Sequence, residues 1–125
     1  ALTLACIQYL PSAVVFVIDL SGESGRLSTV ANQLQVRDEL RSRFPDRPWL
    51  DVITKADLPH VDMEPDVAAR IPPDALRVSC LQGTGVKQLR DSLLRLVCLA
   101  TITHAVRLVC LATITHAVRL VCLAT

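Results

Sequence analysis

The residues of this chain best suited to chemistry are Thr54, Lys55 and Asp57, which close a short apolar run from Trp49 as a T-K-x-D tetrapeptide. A carboxylate at the fourth position can accept both the ring N–H and the exocyclic amine of guanine, two parallel hydrogen bonds that adenine cannot offer. The lysine two residues earlier can lay its alkyl stem along the face of the base and tie back towards the phosphate side. A second loop, Ser79 to Gly85, follows the apolar Leu76-Arg77-Val78 and can meet the base from the other side. The phosphate half of such a site is missing from these residues. No G-x-x-x-x-G-K-[ST] occurs, and none of the four glycines is followed by lysine.

K-x-D arises by chance in many helices and loops, so the surrounding elements decide its weight. Ala13 to Asp19 is a continuous apolar, β-branched run, the pattern of a strand buried on both faces of a parallel sheet. A polar, helix-favouring segment runs from about Ser28 to Phe44, and a second apolar strand from Trp49 to Thr54. A third strand is expected at Leu76 to Ser79. A last helix then starts near Gly85, with Leu89, Leu93, Leu96 and Val97 on its inner face. This alternation predicts an α/β doubly wound sheet, whose ligands sit beyond the carboxyl ends of the strands. Asp57 and Ser79 both fall at such ends.

The chain resembles the Obg/Nog-type GTPases, most closely the nucleolar GTP-binding proteins of the Nog branch. The similarity rests on Leu2 to Ala5, Leu10 to Val14, Phe16 to Gly22, the unusual phrase Arg43 to Asp51, and Lys55 to Leu58. It covers roughly residues 1–94. By that resemblance Thr54, Lys55 and Asp57 match the base-specificity motif, with Thr where many GTPases have Asn. Ser79, Cys80 and Leu81 match the last, weaker motif, whose backbone N–H groups approach the guanine oxygen. The family's phosphate loop, switch threonine and magnesium-binding D-x-x-G would precede Ala1. The resemblance therefore implies GTP or GDP as ligand, magnesium only in a complete parent domain, and pre-ribosomal large-subunit particles as partners in the nucleolus or nucleus.

Asp19-Leu20-Ser21-Gly22 spells a D-x-x-G after an apolar strand, but its spacing argues against a magnesium site. In such folds that motif and the base motif are separated by two helices and a strand, whereas the interval here holds one helix. Asp19 is expected to end the strand beside the base-recognition strand, with Gly22 and Gly25 serving the following loop. No catalytic residue and no metal ligand is assigned. Ser79 lacks a G-x-S-x-G elbow, His60 lies in a loop with no identifiable partner, and Asp62, Glu64 and Asp66 lack calcium-loop spacing. Trp49 reads as a packing residue.

Ten of the thirteen basic residues and all twelve acidic ones precede position 95, a balance that gives no charge argument for nucleic acid. The opening Ala1-Leu2-Thr3-Leu4-Ala5 has no charged leader region. Cys6 and Cys80 have no framework spacing, and the other three cysteines sit in a repeat, so reduced thiols and a nuclear or cytosolic setting are expected.

That repeat fills residues 95–125. Arg95 to Val106 recurs unchanged as Arg107 to Val118, and seven residues of a third copy end at Thr125. On a helix, twelve residues turn about 1200°, so successive copies point about 120° apart and no common apolar face results. Arginine at every twelfth position opposes a membrane span. Cys98, His104, Cys110 and His116 cannot converge on zinc from a straight helix. Val, Ile and Thr also admit strands, which would form an unprotected edge. Exact identity between copies suggests duplicated coding sequence.

The expected architecture is α/β: an incomplete P-loop-NTPase-like G domain over 1–94, with three parallel strands and flanking helices, plus a repetitive helical tail over 95–125. The strand at Ala13 would lie at an open edge of that sheet. The function expected is that of a GTP-binding fragment carrying the guanine-recognition motifs of a ribosome-assembly GTPase. The alternatives are a non-enzymatic interaction or membrane-associated fragment, or an artefactual or pseudogene product without activity.

Overall fold

The computed structural model describes residues 2–10, 12–100, 107–114 and 117–124. In chain order the elements are α1 (Leu2–Tyr9), β1 (Ser12–Asp19), α2 (Val30–Arg43), β2 (Trp49–Thr54), α3 (Pro65–Ala69), β3 (Leu76–Arg77), α4 (Val86–Ala100), β4 (Arg107–Ile114) and β5 (Ala117–Ala124). They build one sheet in the order β3-β2-β1-β4-β5. β1 pairs in parallel with both β2 and β4, β2 in parallel with β3, and β4 antiparallel with β5.

β1 is unbroken in its apolar character because each of its faces meets a separate cluster of side chains. Val14, Phe16 and Ile18 point to the side where Ile7 of α1 and Val30 and Leu34 of α2 pack. Ala13 and Val15 point to the opposite side, where Val52, Val78 and Leu96 are buried with Leu89, Leu93 and Val97 of α4. The inner face expected for the last helix is therefore the one α4 uses, at spacings of four, three and one residues. Each such side chain contributes about 1.5–3 kcal/mol when fully buried.

α2 starts where Thr29 caps it, its side chain accepting from the Asn32 amide at 3.2 Å. It is pinned to β2 through Arg37, which donates from Nε and Nη2 to the two oxygens of Asp51 at 2.7 Å each. The indole of Trp49 donates to the same carboxylate at 2.8 Å and lies 6.0 Å from the Phe16 ring, so Trp49 is a packing residue. This fork fixes the helix against the strand that carries the T-K-x-D tetrapeptide.

The C-terminal repeat departs from the helical expectation. The hexapeptide Arg-Leu-Val-Cys-Leu-Ala occurs three times, at 95–100, 107–112 and 119–124. The first copy is the end of α4, and the other two lie in β4 and β5. In the first, the Leu89 and Leu93 stripe continues into Leu96 and Val97, and burial of that stripe holds the helix. The later copies follow no such stripe, and their β-branched and apolar content suits a ladder once a neighbour strand is offered. That neighbour is β1, paired from Ser12↔Arg107 to Val17↔Ala112. β1 is thus an interior strand, not an open edge, and the sheet has five strands where three were expected. The edges are the two-residue β3 and the eight-residue β5. His104 and His116 lie outside the described residues, while Cys98 is on α4 and Cys110 on β4. Among the described residues no helix is long and apolar enough to cross a membrane.

Ending the chain at Ala100 should turn β1 into an edge strand and expose its backbone to other chains. We expect this truncation to sediment as larger species than the full chain at the same micromolar concentration, with a lower melting temperature. Equal sedimentation and melting of the two would show that β4 contributes nothing to β1.

Candidate functional site

The carboxyl ends of β1 and β2 are level with one another, Asp19 opposite Thr54. Lys55 follows in a left-handed backbone conformation, φ +52°. That turn brings the next amide under the third strand: Ala56 N–H donates to the Val78 carbonyl at 3.1 Å, and Val78 N–H donates to the Ile53 carbonyl at 2.8 Å. The ladder between β2 and β3 therefore runs straight into the tetrapeptide, and Asp57 emerges beside the loop that starts at Ser79.

Asp57 and Ser79 meet directly. The Ser79 hydroxyl donates to Asp57 Oδ1 at 2.6 Å and also accepts from the Gln82 amide at 3.2 Å. Ser79 is completely buried, with its amide donating to the Thr84 carbonyl at 2.9 Å. One Asp57 oxygen is thus occupied from below, and the carboxylate is held at a fixed angle.

Above it lies an open cavity of about 470 Å³, lined by Glu23, Thr54, Lys55, Asp57, Leu58, Cys80 and Leu81. Of the six residues singled out in the sequence, Thr54, Lys55, Asp57, Cys80 and Leu81 line this space, and Ser79 stands behind Asp57. Leu81 is almost fully exposed, an apolar side chain that a flat ring could cover.

Lys55 lines the cavity with its ammonium tied to carboxylates. Its Nζ lies 2.8 Å from Asp19 Oδ2 and 3.5 Å from Glu23 Oε2. The hydrogen bond to Asp19 raises the Lys55 pKa, against the smaller opposing effect of burial. Burial alone would push the Asp19 carboxyl up. Hydrogen bonds from Lys55, Ser21 and Ser24 and from the Ser21 amide outweigh it, and bring Asp19 from its ordinary 3.8 down to about 2. The two Asp19 oxygens are shared among a lysine, two hydroxyls and an amide. The backbone of Asp19 is held as well: its amide donates to Gln33 Oε1 at 2.8 Å, and its carbonyl accepts from Gln33 Nε2 at 2.9 Å.

Asp19 and Glu23 are the site residues that sequence reasoning missed. The signal for Asp19 was available in its position at the end of a strand beside the T-K-x-D strand. Glu23 sits one turn further on, in a loop whose path no local pattern defines.

The family described as Nucleolar GTP-binding protein 1 (NOG1) matches residues 1–57, a stretch that spans α1 to β2 and ends on Asp57. This supports a relation to Nog-type GTPases. No curated protein matches the chain.

Two consequences are measurable. Because the folded Asp19 pKa is depressed, its ion pair adds stability above the unfolded pKa near 4, and that stability is lost as pH falls through about 2. The loss should be about 2 kcal/mol in urea unfolding between pH 5 and pH 2, with a flatter acid dependence for Asp19→Asn. Identical acid slopes for the two proteins would refute the pairing. Gly85 and Gly83 both have positive φ, but only at Gly85 would a Cβ collide with a backbone atom, the Arg77 carbonyl oxygen. Gly85→Ala should cost about 1–3 kcal/mol and clearly more than Gly83→Ala, measured by thermal unfolding.

Proposed function

We propose that this chain carries the base-recognition half of a GTP-binding site of the Nog type. The observation that carries the reading is the Ser79–Asp57 hydrogen bond at the rim of the cavity. It joins the T-K-x-D tetrapeptide to the loop after β3, as a site built from both motifs requires. Asp57 Oδ2 is free of that bond and Oδ1 keeps a second lone pair, so the two oxygens together could accept from a ring N–H and an exocyclic amine side by side. Thr54 ends the strand that fixes the depth of the site. The stem of Lys55 and the side chain of Leu81 offer the apolar contacts for the ring faces, and Cys80 and Leu81 bring the backbone of the second loop towards its carbonyl edge.

Residues 1–94 form the base-binding part in this reading, and 95–125 form the repeat that completes the sheet through β4. Pre-ribosomal large-subunit particles and a nucleolar or nuclear setting follow from the relation to the Nog branch. Magnesium belongs with a complete parent domain, and no hydrolytic step is assigned to these residues. With base contacts alone, GTP should bind at about millimolar strength, equivalent to about 4 kcal/mol.

Exchanging Asp57 for Asn replaces an acceptor pair by a donor and an acceptor. Asp57→Asn should weaken GTP relative to XTP by about 1–3 kcal/mol, about 5- to 150-fold, in ligand-observed NMR competition. Unchanged preference would remove Asp57 from base recognition.

A further inference from the structure

β5 is the one long strand of the sheet with a free flank. β4 holds it on one side in antiparallel pairing, and among the described residues no strand pairs with the other side. Edge strands of this length usually carry proline, lysine, a bulge or a covering loop. β5 has no proline, no glycine and a single charged residue, Arg119. The repeat itself shows what that flank can hold. In β4, residues 107–112 are paired on both sides, with β1 in parallel and with β5 antiparallel. The identical hexapeptide at 119–124 is paired on one side only.

The register identifies the free backbone groups. Antiparallel partners alternate between pairs that exchange both backbone hydrogen bonds and pairs that exchange none. Ile114 and Ala117 are partners with two residues between them in sequence. They must be an exchanging pair, since otherwise the next exchanging pair would be two adjacent residues of the chain. Counting on by twos, the backbones of Ala117, Arg119, Val121 and Leu123 are turned to β4. Those of Val118, Leu120, Cys122 and Ala124 present N–H and C=O on the open flank.

We propose that this flank receives a second copy of the chain, β5 against β5, antiparallel about a two-fold axis at Val121. Strands related by a two-fold can bond only where both residues of a pair face outward. The β4–β5 register cannot simply be repeated, because it would set outward residues against inward ones. With the axis at Val121, Val118 meets Ala124 of the second copy and Leu120 meets its Cys122, each twice over. All four outward residues are then used, for about eight hydrogen bonds. An axis moved by one residue either way leaves Val118 or Ala124 unpaired. Arg119 falls opposite Leu123 and not opposite its own image, so like charges do not face each other. The assembly also closes. Its remaining edges are the two copies of β3, Leu76–Arg77, too short to recruit another chain. The inference is independent of the base-recognition reading.

The test is sedimentation equilibrium of the full 125-residue chain over a micromolar concentration series, with amide hydrogen exchange followed by NMR. The mass should reach that of two chains and stay there. Exchange at Val118, Leu120, Cys122 and Ala124 should slow about tenfold as the dimer forms, while Arg119, Val121 and Leu123 are protected at every concentration. Leu120→Pro removes an outward donor and sets its ring on the open flank, where proline is tolerated. It should return the mass to one chain with the amides that face β4 still protected. Val121→Pro removes a donor to β4 instead and should unpair that ladder. A one-chain mass of the unaltered protein throughout the series overturns the proposal. So does a mass that keeps rising past two chains, or exchange at the four outward amides that ignores concentration, whatever the variants do.

Discussion

The Asp19–Lys55 contact is the constraint on which the site depends. Thirty-six residues separate the two, and they meet because β1 and β2 run in parallel with Asp19 and Thr54 in register. A buried carboxylate without a partner would be costly, so strand register, the left-handed turn at Lys55 and the α2 position that places Gln33 are satisfied together or not at all. Once Lys55 is held, the turn aims Ala56 at Val78 and Asp57 at Ser79. The cavity is therefore a product of backbone register more than of any single side chain.

A second set of contacts acts at a distance from the first. The Arg37–Asp51 fork, closed by the Trp49 indole, ties α2 to β2 on the face opposite α4. Gln33 and Arg37 lie one helical turn apart on α2, so the same helix clamps β1 at its carboxyl end and β2 in its middle. The site end of the sheet is thus braced by a helix that contributes nothing to the cavity lining.

Much of this was legible in the chain. The unbroken apolar run from Ala13 to Asp19 read as a doubly covered strand, and the Leu89, Leu93, Leu96, Val97 spacing as a helix face. The T-K-x-D tetrapeptide and the Ser79 loop could be joined because both ended strands of one sheet. Glu23 was not legible, since its arrival at the cavity depends on where Ser21 and Ser24 fold the loop onto Asp19. The tail was not legible either. One hexapeptide is helix at 95–100 and strand at 107–112 and 119–124, so its own preferences do not choose; the neighbours do.

The parallel pairing of β1 with β4 has a consequence for biosynthesis. Ser12 and Arg107 are partners across ninety-five positions of chain. At about 5–20 residues per second, a ribosome makes β4 about 5–20 s after β1. During that interval α1, β1, α2 and β2 can already have assembled around Asp19 and Lys55. The nascent chain then presents the flank of β1 to the cell, and whatever escorts it through those seconds must shield a hydrogen-bonding ribbon as well as the apolar face that α4 later covers.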